Sequence, residues 1–150
     1  MAMEFTDEEL AYHEAGHSVL HVLLGGTVTR VSIVRDDPHR GVHVPDAADP
    51  LPTDLVSVHN LIVVLLGGEA ALHVWRAASL RRPDAKDRAR AEALAAKISD
   101  EPASVLEADW QTAVSTLGGA ENWSRVERLA NRLATERVLD GDEVHRVIHD

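Results

Sequence analysis

The chain of 150 residues contains no cysteine. That excludes disulfides, thiolate nucleophiles and cysteine-ligated metal sites, so any bound metal must be held by His, Asp or Glu. Aromatic residues make up only 3% of the sequence against an apolar content of 45%, so the core must be built from Leu, Val and Ala. Positive charge is scarce: 15 Lys and Arg stand against 25 Asp and Glu, a formal net charge of −10. Such a balance argues against nucleic-acid binding through bulk electrostatics. The longest unbroken apolar run, Leu61 to Leu66, stops at Gly67, well short of the roughly 20 residues of a membrane span, so no span is expected. The N-terminus is acidic rather than basic, which is not a signal-peptide pattern and makes a cytoplasmic location the expectation. The length fits one domain, 1–150, with its own core.

What is present begins with Tyr12-His13-Glu14-Ala15-Gly16-His17, which reads H-E-x-x-H. On a helix, residues four apart share a face, so His13 and His17 can reach one metal ion. Two imidazoles and a carboxylate suit zinc at roughly 2.0–2.2 Å, with a fourth position left for water. Glu14 sits one step round the helix, where it can take a proton from that water. The surrounding sequence predicts the helix. Thr6 and Glu9 form a capping-box pattern, Phe5 and Leu10 can staple across the cap, and Asp7, Glu8 and Glu9 favour the positive end of the helix dipole. Gly25-Gly26 ends the run. Gly16 costs a helix roughly 1 kcal/mol against alanine, so its presence between the histidines points to a close neighbour or substrate at that spot.

Further along, residues 27–34 are rich in β-branched side chains and read as a strand, with a second short strand at 41–44. The proline-rich stretch 45–52 reads as a loop. A long helix is expected from Asp54 to about Leu80, capped near Thr53 and broken at 81–83; its Gly67-Gly68 pair predicts close contact with another helix, plausibly the one bearing the histidines. Helices are expected over 84–99 and 110–117. Another is expected beyond a cap at Asn122 or Ser124, with Val126, Leu129, Leu133 and Val138 at helical spacing. Asp140-Gly141 reads as a turn before a last short helix over 142–148. The fold class is thus mostly α, with a two- or three-stranded sheet packed in a bundle of about five to six helices.

Two histidines do not complete a zinc site. Asp84, Asp87, Glu69, His21, His59 and His73 are candidates for the third ligand, and spacing alone does not choose among them.

Several segments, in order, resemble one family. They are 11–17 with its H-E-A-G-H, 30–34 followed by Gly41-Val42, 62–71 with its paired glycines, 87–95, and 126–144. Together they are similar to the peptidase domain of the FtsH-type zinc proteases, the membrane-anchored AAA+ proteases. The resemblance implies Zn2+ as cofactor, Asp87 as third ligand, and a strand through Val31, Ser32, Ile33 and Val34 that pairs with an extended peptide. It implies a zinc-dependent endopeptidase acting on unfolded or extended polypeptides, with Glu14 as the general base. A hexameric ring and a separate AAA+ ATPase partner are implied only by that kinship. There are departures: Glu69 stands where the family usually has arginine, Lys86 where it usually has asparagine, and no P-loop G-x-x-x-x-G-K-[ST] occurs in these residues. The missing motor motivates a second expectation, a non-catalytic peptide-binding or regulatory module derived from the same domain. A third is a zinc hydrolase or regulatory protease of another H-E-x-x-H family, with Glu69 or another carboxylate as third ligand.

Overall fold

The computed structural model describes residues 5–44, 54–76 and 85–150. The expected loop over 45–52, the cap at Thr53, the break at 81–83 and the candidate ligand Asp84 lie outside the described residues. Within them the chain forms six helices and three short strands.

Helix α1 (Asp7–Leu23) starts as its sequence directs. The Thr6 hydroxyl accepts from the Glu9 N–H at 3.1 Å, and the Glu9 carboxylate accepts from the Thr6 N–H at 2.9 Å. This reciprocal pair satisfies two N–H groups that a helix start leaves open. Almost every residue of α1 from Glu9 onward is buried, because α1 runs through the middle of the molecule against α2 (Leu55–Arg76) on one side and α5 (Ala120–Glu136) on another. Helices α3 (Ala85–Ile98) and α4 (Pro102–Gly118) also pack against α2 and against each other, and α6 (Gly141–His149) closes against α5. Tyr12 on α1 is stacked between Trp75 of α2, at a ring separation of 4.2 Å, and Trp123 of α5, at 5.8 Å. So three of the few aromatic rings fasten the three central helices together.

Helix α2 was expected as one long helix from Asp54 to about Leu80 with the glycine pair in its middle, and it is described from Leu55 to Arg76. The glycines do not interrupt it: α2 runs 22 residues, with a mean hydropathy of 1.8 that is high enough, by length and composition only, for a membrane span. Of that stretch 61% is buried inside the fold, against α1, α3 and α4, and α2 serves as the core helix. The glycines instead set how close α1 comes. A methyl group on Gly16 would lie 2.6 Å from Ala71 Cβ and inside contact distance of the Gly67 carbonyl. One on Gly67 would lie 2.8 Å from Leu20 Cδ1, and one on Gly68 would overlap the His13 ring.

The three strands β1 (Arg30–Ser32), β2 (Gly41–His43) and β3 (Val138–Asp140) form an antiparallel sheet in the order β2-β1-β3. Val31 stands opposite Val42 on one side and Leu139 on the other. Two expectations change here. The strand over 27–34 is shorter, because the Val28 N–H is taken by His145 Nε2 at 3.0 Å rather than by a neighbouring strand. Val138, read as helical, belongs to β3: α5 stops at Glu136, and Arg137 turns the chain with φ 68. Its strand partner is more than 100 residues away in the sequence, so no local pattern reveals it. Two smaller differences concern helix starts. Helix α4 begins eight residues before the expected Trp110, with proline at its first turn. Gly119 rather than Asn122 or Ser124 precedes α5, since the Asn122 side chain donates instead to the Thr116 carbonyl at 3.0 Å.

Gly16→Ala is expected to lower stability by about 1–3 kcal/mol, the usual range for forcing extra methyl volume into a packed core, despite the better helix propensity of alanine. Chemical denaturation at constant pH measures it, and an unchanged midpoint would show that α1 and α2 are free to separate.

Candidate metal centre

The capped, buried α1 places His13 and His17 one turn apart with their rings meeting edge to face at 4.7 Å. Their Nε2 atoms are 3.1 Å apart. Asp87, from the first turn of α3, reaches the same point: its Oδ2 lies 3.0 Å from His17 Nε2 and 3.8 Å from His13 Nε2. Among the described residues these three form a group whose donor atoms all lie within 4.8 Å of one another. Both histidines are buried and Asp87 is partly so.

The orientation of each ring has a cause. His17 Nδ1–H donates to the Val64 carbonyl of α2 at 2.7 Å; a carbonyl can only accept, so the proton sits on Nδ1 and the Nε2 lone pair faces the group. His13 lies against the bare backbone of Gly68 on one side and the Phe5 ring, at 5.5 Å, on another. Asp87 is brought in by α3, and the neighbouring Arg88 reaches the buried Glu69 of α2 at 3.4 Å.

Two imidazole lone pairs and a carboxylate oxygen this close repel one another unless a cation or a proton lies among them. An ion held tetrahedrally at 2.0–2.1 Å would separate its donors by about 3.3–3.4 Å. The observed 3.0, 3.1 and 3.8 Å bracket that separation, so the donor set fits a small divalent ion of the zinc type. Without one, a proton fills the role. Burial alone would lower the His17 pKa. The hydrogen bond to Asp87, the charges of Glu14 and Asp87 and the Val64 carbonyl outweigh burial and hold it up at about 9. Burial would raise the Asp87 carboxyl, but hydrogen bonds from His13 and His17 bring it well below the usual carboxylate range.

Glu14, also buried, extends its Oε1 to 3.8 Å from His13 Nε2. It borders a cavity of about 400 Å³ that the three donors share with Arg40, Gly41, Val42, Val64, Lys86 and Arg90, among others. Gly41 of β2, with φ 109, lies close to Glu14: a Cβ there would come 3.6 Å from Glu14 Oε2.

The other expected ligands go elsewhere. His21 lines the cavity, but its Nε2–H donates to the Thr27 carbonyl at 3.1 Å. His59 pairs through Nδ1 with Asp109 at 2.8 Å, His73 stands edge-on to Trp110, and Glu69 faces Arg88. The expectation that Val31, Ser32, Ile33 and Val34 pair with a peptide is corrected by the sheet. Strand β1 is its middle strand, with β2 on one edge and the chain around β3 on the other; Ile33 N–H, just beyond it, already donates to the Arg137 carbonyl at 2.9 Å. Val31, Ser32 and Ile33 are fully buried. Among the described residues the strand with an unpaired edge beside the cavity is β2. The Val64 carbonyl escaped the sequence reading, because its approach to His17 comes from the packing of α2 on α1 and has no local signal.

Zinc would have to displace the His17 proton, so affinity should rise roughly tenfold per pH unit below about pH 9 and level off there. Asp87 stays ionised throughout this range and adds no slope of its own. Competition titrations with a chromophoric chelator across pH 6–9.5 measure it, and Asp87→Asn should flatten the rise as well as weaken binding.

No known protein-family model matches the chain and no curated protein does.

Proposed function

We propose that the chain is a zinc-dependent endopeptidase that cleaves unfolded or extended polypeptides. One observation carries this reading: His13, His17 and Asp87 bring their donor atoms to one point beside the Glu14 carboxylate, at the wall of an open cavity. Bound there, zinc would supply Lewis acidity, bringing the pKa of a water in its open position toward about 7 and polarising a substrate carbonyl.

The remaining work falls to the chain. The Val64 carbonyl keeps His17 in the tautomer that presents Nε2, and Phe5 and Gly68 keep the His13 ring from turning. Glu14 accepts the proton of the attacking water and returns it to the leaving amine nitrogen, the two transfers a peptide bond requires. Burial keeps bulk water from competing for that carboxylate. The open edge of β2 offers backbone N–H and C=O groups to an extended peptide, which aligns the scissile carbonyl without reading its side chains. A folded substrate cannot present such a strand, so unfolded chains and exposed tails are the substrate class.

Zinc content and hydrolysis of casein test the reading in wild type, Glu14→Gln and Asp87→Asn. Wild type should hold about one zinc per chain, as one three-donor site allows. Glu14→Gln should keep the metal and lose at least about 10²-fold in activity, and Asp87→Asn should lose metal affinity. Full zinc occupancy with no hydrolysis of any unfolded substrate would replace the enzyme reading with that of a peptide-binding module.

A further inference from the structure

Helix α2 fixes two of the three donors directly. Its Val64 carbonyl sets the His17 tautomer, and the bare backbone of Gly68 supports the His13 ring. The third donor, Asp87, comes from a different helix, and the residue of α2 after Gly68 meets that helix. Glu69 is only 4% exposed. A carboxylate at that depth is costly unless a cation meets it. Arg88, the neighbour of Asp87, reaches it: its Nη2 lies 3.4 Å from each of the two Glu69 oxygens. The contact falls on the first turn of α3. There Ala85, Lys86, Ala89 and Arg90 are exposed, Asp87 and Arg88 are partly buried, and the fully buried side chains of α3, Ala91, Leu94 and Ala95, all come later. Apolar burial is non-directional and does not by itself fix how a helix is rolled about its axis. An ion pair to one point on a neighbouring helix does.

We propose that the Glu69–Arg88 pair positions Asp87 for the metal, by fixing the roll of the first turn of α3 against α2. One helix, α2, then orients all three donors, through Val64, Gly68 and Glu69. Consecutive residues of a helix point about 100° apart. Turning Arg88 towards Glu69 therefore sets the direction of Asp87, whose Oδ2 stands 3.0 Å from His17 Nε2. A metal–oxygen bond tolerates only about 0.2 Å, so a small roll of α3 is enough to lose the ligand. Neither Glu69 nor Arg88 is itself a ligand; both are positioning residues that act through Asp87. The proposal rests on the metal centre of the preceding reading, and not on peptide hydrolysis.

Metal affinity tests this separately from turnover. Zinc binding is measured at one pH, by competition with a chromophoric chelator, for wild type, Glu69→Gln, Arg88→Gln and the double variant, and again with Asp87→Asn added to each. Glu69→Gln and Arg88→Gln should each weaken zinc binding about 10- to 100-fold, the usual effect of losing a group that orients a metal ligand. The double variant should be no weaker than the worse single one, because the two residues make one contact. With Asp87→Asn present, neither substitution should weaken binding further, which a merely structural role would not predict. Arg88→Lys should recover most of the affinity, since the contact uses a single guanidinium nitrogen that an amine can replace. Cobalt serves as a second probe: its visible spectrum follows the ligand set, so Glu69→Gln and Arg88→Gln should shift it towards that of Asp87→Asn. Circular dichroism and denaturation of the metal-free chains check folding, and where Glu69→Gln does not fold, Arg88→Gln at its partly exposed position carries the test. Wild-type affinity in Arg88→Gln, a loss that persists undiminished with Asp87→Asn, or a loss in Glu69→Gln that Arg88→Gln does not share overturns the proposal. Casein hydrolysis by wild type is read alongside. Zinc binding without cleavage removes the endopeptidase reading and leaves this one, cleavage with unchanged metal affinity in the variants does the reverse, and a wild-type chain that binds no zinc removes both.

Discussion

Helices α1 and α2 approach so closely because glycine faces backbone at their crossing, and the metal centre depends on that approach. Gly16 rests on the Gly67 carbonyl, and Gly68 leaves its face open for the His13 ring. Val64, one turn before Gly68, is thereby close enough for its carbonyl to accept from His17 Nδ1–H. A helical carbonyl has two lone pairs and uses one on its own helix, so the second is available at no cost to α2. A side chain at position 16 or 68 would push the helices apart and turn both imidazoles out of register together. The glycines lower helix propensity in both elements, a penalty offset by the Tyr12 stack with Trp75 and Trp123 and by the burial of α2 on three sides.

The centre itself is electrostatically unstable without a positive charge inside it. Burying two imidazoles, Glu14 and part of Asp87 is unfavourable for any group that ionises there. The chain accepts this because a single cation resolves the whole set. A proton on His17 resolves it in part, which is why that histidine holds its proton to about pH 9. A metal bound there would compete with that proton for one nitrogen, while Asp87, whose carboxyl is held low, would stay ionised for either.

The small sheet is less a binding surface than a support. Strand β1 is occupied on both sides, which fixes β2 beside α1, and among the described residues the outer edge of β2 has no strand partner. The chain between β1 and β2 is tied down by Asp37, which accepts from Arg30 at 2.7 Å and from Ser32 at 3.0 Å. With that turn fixed, Arg40 is delivered to the cavity wall next to Gly41.

Much of this was legible in the residues by themselves. Thr6 and Glu9 specify where α1 begins, the four-residue spacing of His13 and His17 puts them on one face, and the paired glycines of α2 signal close helix contact, because these are local consequences of helical geometry. The mostly helical class with a small sheet followed from the same periodicities. Tertiary structure decided the rest. The choice of Asp87 over Glu69, His21, His59 or His73 depends on how α3 docks on α2, some 70 residues from the histidines in sequence. Strand β3 exists because Val138–Asp140 finds β1 across more than 100 residues, and its pairing is what makes β1 the middle strand. Side-chain spacing carries information only within one element; which elements meet, and which edges and charges are left unpaired, is settled when the whole chain packs.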